Sequence, residues 1–183
     1  CNQLNYIQTK DLGYKRDQVL IIDKAFELGN HAQTFKAQVK QLPGVVNATL
    51  TGYLPTSQMR NSSIFYKDAS GDQKKAIFPQ SWNVDVDYIA TLGMKMISGR
   101  NFSTQMPTDS AGLIINETAA KFLGFKDPLN KTLFRNMDGN VSHSKPYHII
   151  GVVKDFNFNS LRENITPMVL LLNQDMGYLS VKV

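Results

Sequence analysis

The chain has 183 residues, 42% of them hydrophobic and 19% charged, which is enough to bury a core without disulfides and too apolar for wholesale disorder. Its one cysteine, Cys1, excludes an intrachain disulfide and a thiolate zinc cluster, and His31, His143 and His148 are scant material for a metal site. The net charge of +5 is scattered, with Lys15-Arg16 and Lys74-Lys75 the tightest groups, so it lacks the dense stripe that nucleic acid requires and suits a solvated surface, or one near anionic headgroups.

Residues 1–17 form a polar lead-in broken by Gly13. Val19-Leu20-Ile21-Ile22, apolar and β-branched, predicts a buried strand. A helix opens at Asn30 or His31. Phe35, Val39 and Leu42 recur at i, i+4 and i+7 as its apolar stripe, and Pro43-Gly44 stops it. Val45 to Tyr53 predicts a second strand. Strand, helix and strand in about 35 residues is a βαβ-like unit, which needs a further unit or sheet to cover it. Residues 54–63 are loop. Ile64 to Lys67 and Lys75 to Val86 predict a hairpin around Asp68-Ala69-Ser70-Gly71-Asp72.

Asp87 is placed to cap a short helix, Tyr88 to Leu92, closed by Gly93. Met94 to Ile97 is a short strand, followed by a turn at Gly99-Arg100-Asn101. Leu113-Ile114-Ile115 is a strand. Asn116 caps a helix running to about Leu123, with Glu117 in its first turn and Gly124 after it. Thr132 to Phe134 and Tyr147 to Val153 read as paired strands around a polar loop, 136–146. Leu161 to Asn164 reads as a helical turn, and Met168 to Leu172 and Tyr178 to Val183 as the final strands. No internal repeat is present, and no apolar run approaches the roughly 20 residues of a membrane-spanning helix.

Motifs for chemistry are missing. There is no GxxxxGK phosphate loop, no GxGxxG after a strand, no HExxH and no GxSxG. A cysteine nucleophile would have to be Cys1, at a chain end far from any fixed histidine. Asp85 and Asp87 are the best carboxylate cluster. They suit either a divalent cation or acid–base work, or else are alternate residues leaving a strand, with Asp87 as a helix cap; the second is the plainer reading. Asp155, after an apolar strand, stands where catalytic acids often sit, or caps a turn beside Lys154. Arg100 suits a structural pairing with a carboxylate, and His148 lies in a strand pattern.

Phe156 and Phe158 alternate with Asn157 and Asn159, either as an exposed recognition edge or as aromatics packed inward. Seven Asn-x-Ser/Thr triplets, at Asn47, Asn61, Asn101, Asn116, Asn130, Asn140 and Asn164, are either glycosylation acceptors or caps and turn residues. Asp109-Ser110-Ala111 resembles the short O-glycosylation acceptor used by Bacteroidetes outside the cytoplasm. The sequence assigns no catalytic, cofactor-binding or metal-binding residue, and the protein is expected not to be an enzyme.

Several stretches together resemble one family. Asn5 to Tyr14 and Asp17 to Leu20 resemble the segment just outside a transmembrane helix in Bacteroidetes ABC-transporter permeases of the MacB/FtsX type. Asp87-Tyr88-Ile89-Ala90-Thr91-Leu92-Gly93-Met94-Lys95, then Ser98-Gly99-Arg100-Asn101-Phe102-Ser103, resembles the main motif of the MacB-like periplasmic core domain. Ile115 to Lys121 matches the next block and Asp127 to Leu133 the one after it, with Asn130 in place of the usual Gly. Tyr147 to Phe158 and Pro167 to Leu172 complete the likeness, which spans nearly the whole chain.

The resemblance implies an α+β fold, a porter-like α/β subdomain with an inserted β-rich, Sabre-like subdomain. Its expected boundaries are a lead-in at 1–14, a porter-like part at 15–55 and 166–183 that is shortened at its C-terminal end, and an insert at 56–165. It implies a non-catalytic domain on the periplasmic face of the bacterial inner membrane, coupling cytoplasmic ATP hydrolysis to efflux, lipoprotein release or activation of a cell-wall hydrolase. The implied partners are a second permease copy and a cytoplasmic ABC ATPase, reached through membrane helices, with a periplasmic adaptor or substrate protein. The alternative is a lipoprotein or a solute- or peptide-binding periplasmic domain, with Cys1 acylated.

Overall fold

The computed structural model describes residues 19–54, 61–72, 76–136, 143–156, 165–173 and 177–183. The lead-in, the Leu161 to Asn164 turn, Phe158, Asn140 and Asn164 lie outside them. Ten strands run through the described residues: β1 (Val19–Asp23), β2 (Asn47–Thr51), β3 (Ile64–Tyr66), β4 (Gln80–Val84), β5 (Met96–Gly99), β6 (Gly112–Asn116), β7 (Thr132–Asn136), β8 (Lys145–Val153), β9 (Met168–Leu172) and β10 (Tyr178–Lys182). Three α-helices accompany them: α1 (Ala32–Val39), α2 (Tyr88–Thr91) and α3 (Glu117–Leu123). Two 3-10 segments, Ala25–His31 and Pro107–Ala111, were not foreseen from the sequence.

The strands form one sheet in the order β1-β10-β2-β4-β9-β6-β8-β7-β3, with β5 on β8. The pairs β4–β9 and β6–β8 are parallel, and the others are antiparallel. The expected βαβ-like unit is present, but β10 is inserted between β1 and β2, so the unit is split. The fold class is the expected α+β mixture.

Side-chain alternation sorts the core onto the two sheet faces. Along β9, Met168 and Leu170 join Trp82, Val84, Tyr88, Ile114 and Phe156 on one face, while Val169 and Leu171 join Leu113, Ile115, Leu123 and Ile149 on the other. Helix α2 covers the first face and α3 the second. The buried Trp82 ring is the hub of the first cluster, stacked on Tyr53 at 6.3 Å and tilted against Phe156 at 5.7 Å. Phe156 is therefore packed inward, the second of the two readings above. A third cluster joins Ala32 and Val39 of α1 to Ala48, Leu50, Leu179 and Val181 of β2 and β10.

Three expectations need correction. β1 is not buried: Leu20 and Ile22 are 59% and 41% exposed, because among the described residues β1 pairs only with β10 and α1 sits over β2 and β10. Leu42 lies beyond the end of α1 and is exposed; the face that α1 buries is Ala32, Lys36 and Val39, with Phe35 at its margin. The 64–86 hairpin survives only as two isolated antiparallel bridges in one register, Phe65–Ile77 and Ser62–Gln80, while β3 pairs with β7 and β4 turns inward to β2 and β9.

Local signals at turns hold well. Gly93 and Gly124 take left-handed φ after α2 and α3, and Asn130 does the same at φ 62°. Asn116 caps α3 through Ala119 N–H at 3.0 Å, and the same Oδ1 accepts from Met168 N–H at 2.9 Å. One fully buried side chain thus joins α3 to β9. Replacing it, Asn116→Ala, removes a cap and strands a buried donor, and is expected to cost about 2–4 kcal/mol in chemical denaturation. At the β5–β8 crossing, a Cβ on Gly151 would lie 2.4 Å from the Arg100 carbonyl. Gly151→Ala is expected to destabilise by at least about 1–3 kcal/mol in the same measurement; a neutral result would refute the tight crossing.

Candidate functional site

The densest polar constellation surrounds Asp85. Leaving β4, Asp85 is buried and its carboxylate is fully engaged. It accepts from Lys36 Nζ at 2.8 Å, Leu50 N–H at 2.9 Å, Asp87 N–H at 3.0 Å and Thr49 Oγ1 at 2.5 Å. Lys36 also donates to Asp87 at 2.9 Å, and Asp87 accepts from Lys40 at 2.9 Å. Lys36 on α1 and Lys40 at its C-cap are i and i+4, so one helical face presents both ammonium groups.

The place a divalent cation would take between Asp85 and Asp87 is filled by the Lys36 ammonium. Asp87 does not act as the expected side-chain cap of α2, because its carboxylate is turned to Lys36 and Lys40. Sequence reasoning singled out the two acids and missed both lysines and Thr49. The available signal was Lys36 itself, a charge set among Ala32, Phe35 and Val39 on the face that must be buried.

Other acids are likewise engaged. Arg100 forks onto Asp109, Nη1 to Oδ2 at 2.8 Å and Nη2 to Oδ1 at 2.6 Å, and Ser103 N–H adds a third bond at 2.8 Å. Asp155 is not a local turn cap. It accepts from Thr118 N–H at 2.9 Å and Thr118 Oγ1 at 2.7 Å, so it caps α3 from another part of the chain. His148 is exposed, with Nδ1 3.1 Å from Thr132 Oγ1. Of the Asn-x-Ser/Thr asparagines, Asn116 is sealed in the core, and Asn101 donates to Val86 O and accepts from Phe102 N–H. Ser110 is exposed, its hydroxyl donating to Pro107 O at 2.9 Å. No group of three His, Cys, Asp or Glu side chains suited to a metal occurs among the described residues.

Burial alone pushes the Asp87 carboxyl up, but the hydrogen bonds and charges of Lys36 and Lys40 outweigh it and hold its pKa below the ordinary 3.8. Burial likewise opposes the Lys36 ammonium, and Asp85 and Asp87 overturn it, raising that pKa above 10.5. The Arg100 hydrogen bonds hold Asp109 below 3.8 against burial. Both lowered carboxyls contribute stability above the unfolded Asp value that is lost as pH falls through their native values. The raised Lys36 contributes stability below its unfolded value that is lost as pH rises through its native one.

The thermal midpoint is therefore expected to fall between about pH 5 and about pH 2, and less steeply in Asp87→Asn than in the parent chain. Equal slopes would remove Asp87 from the acid transition.

No protein-family model and no curated protein matches the sequence. The fold does have solved counterparts. The periplasmic region of MacB from Actinobacillus actinomycetemcomitans aligns over 97% of this chain and 79% of its own, with TM-score 0.57 and 16% identity. The extracellular domain of the ABC-type transporter YknZ from Gram-positive bacteria aligns over 82% and 72%, with TM-score 0.54 and 14% identity. A domain of a protein taken to be a permease, from Porphyromonas gingivalis, aligns over 91% and 75%, with TM-score 0.54 and 17% identity. The chain has the fold of the MacB periplasmic region.

Proposed function

We propose that this chain is the non-catalytic extracytoplasmic domain of an ABC-transporter permease, lying on the periplasmic face of the inner membrane in a Bacteroidetes-type system. The observation that carries the reading is the fold shared with the MacB periplasmic region over 97% of the chain. The engagement of Asp85, Asp87, Asp109 and Asp155 in structural bonds supports it, since these acids are committed to holding the fold. No helix among the described residues is long and apolar enough to cross a membrane, so a role at the membrane needs helices elsewhere in the permease.

In this reading residues 15–55 and 166–183 form the porter-like part and 56–165 the insert. A second permease copy and a cytoplasmic ABC ATPase are the partners. ATP hydrolysis moves the membrane helices, and the domain transmits that motion to a periplasmic adaptor or substrate protein in efflux, lipoprotein release or hydrolase activation.

The test is topology in the native, full-length protein. A cysteine at exposed Lys126 is expected to react with a membrane-impermeant maleimide in cells whose outer membrane alone is opened, and the tagged protein to copurify with an ATPase subunit. Reaction only after the inner membrane is lysed would overturn the reading. Acylation of Cys1 with no copurifying ATPase would favour a lipoprotein instead.

A further inference from the structure

The sheet is thin along one line. β2 meets β4 at a single residue pair, Thr51 opposite Val84, whereas β1–β10, β10–β2 and β4–β9 each run over five. The hydrophobic core divides along the same line. The cluster of α1, β2 and β10 is separate from the two clusters built on β4, β6, β8 and β9, and only Tyr53, just past β2, and Val19 of β1 reach from its side into the first of those among the described residues. A cleft of about 380 Å³ straddles it, with Gln33 and Lys36 of α1 on one side and Asp85, Thr104, Ser110 and Asn173 on the other.

Two sets of contacts cross the line. In the sheet layer, Thr51 Oγ1 donates to Asn83 O at 3.1 Å, Tyr88 Oη donates to Tyr53 O at 3.0 Å, and Tyr53 stacks on Trp82. In the helix layer the crossing centres on Asp85 and Asp87: Lys36 pairs with both and Lys40 with Asp87, and Thr49 Oγ1 and Leu50 N–H of β2 donate to Asp85.

We propose that this line is a hinge between the α1–β1–β2–β10 body and the rest of the sheet, with the Lys36–Asp85 and Lys36/Lys40–Asp87 ion pairs as its latch and the Thr51–Tyr53 contacts as its pivot. Packed cores resist continuous deformation, so motion concentrates where two cores meet across few contacts. Rotation here leaves the α1–β2–β10 cluster and the Val169–Leu171 cluster intact and turns about Tyr53 and Val19, which the two bodies share through the first cluster. It strains a single strand pair, opens or closes the cleft, and must break the ion pairs and the Thr49 and Leu50 hydrogen bonds to Asp85. Ion pairs suit a latch because they are directional and can be exchanged for water, while a shared apolar core cannot be opened in the same way. The hinge is a property of this chain alone and stands whether or not the permease reading does.

The test is the distance between the two bodies, read by paired spin labels in a Cys1→Ser background. One pair spans the line, Thr34→Cys on α1 and Lys121→Cys on α3; a control pair, Lys121→Cys and Lys145→Cys, lies within one body. The parent chain is expected to give a narrow distribution for both pairs. Asp85→Asn with Asp87→Asn is expected to broaden the spanning distribution about twofold and leave the control pair unchanged. If that double variant does not fold, Asp87→Asn alone, which keeps the Lys36–Asp85 pair, is expected to broaden the spanning pair to a lesser extent. A spanning distribution as narrow as that of the parent, equal broadening of both pairs, or a parent distribution that is already broad would overturn the proposal.

Discussion

The burial of the Asp85 carboxylate is the constraint on which the arrangement rests. A carboxylate removed from water is tolerated only when donors replace the lost hydration. Asp85 finds four, and they come from three places: Lys36 on α1, Thr49 and Leu50 on β2, and Asp87 at the start of α2. Each donor fixes the element that carries it. The height of α1 over the sheet, the position of β2 beside the end of β4 and the entry to α2 are thus set by a single side chain. The Lys36 ammonium is equally dependent on this arrangement, since it too is buried and would be stranded without Asp85 and Asp87.

The same logic recurs at other joints. Arg100 and Asp109 staple the 100–111 loop with a planar two-bond fork, the strongest geometry available to a cation and a carboxylate. Asp155 fixes the start of α3 after β8 has ended, and its own N–H is held by Glu117 Oε2 at 2.9 Å. Asn116 locks the other side of that helix start to β9. At Asp155 and Asn116 a short polar side chain closes a gap between elements distant in sequence, where a loop alone would leave the backbone unsatisfied.

This gives physical content to the stretches that carry the family resemblance. Within Ser98-Gly99-Arg100-Asn101-Phe102, Gly99 allows β5 to approach the Ile150 carbonyl, Arg100 holds Asp109, Asn101 holds Val86 O, and Phe102 enters the core. Within Ile115 to Lys121, Asn116 and Thr118 bind the start of the helix. The recognisable residues each tie two parts of the fold together. This explains how the fold persists at 14–17% identity, since most other positions need only be apolar or polar in the right alternation.

The sequence by itself determined the kind and position of most elements. The run at 113–115, the Asn116 cap, the Gly93 and Gly124 stops, the β7–β8 pairing and the two final strands are local or near-local signals, fixed by turn chemistry and side-chain periodicity. It also pointed to Arg100 as a structural partner for a carboxylate. Only the tertiary structure decided which partners meet. An apolar run such as Val19 to Ile22 reads as buried, yet its exposure depends on whether a neighbour covers it, and that is not written in the run. The insertion of β10 between β1 and β2 joins residues more than 120 apart, beyond any local pattern. Asp85 and Asp87 were visible as a pair. Their meaning was set by Lys36, 49 residues away from Asp85, because the energy of a buried charge depends on what surrounds it and not on its place in the chain.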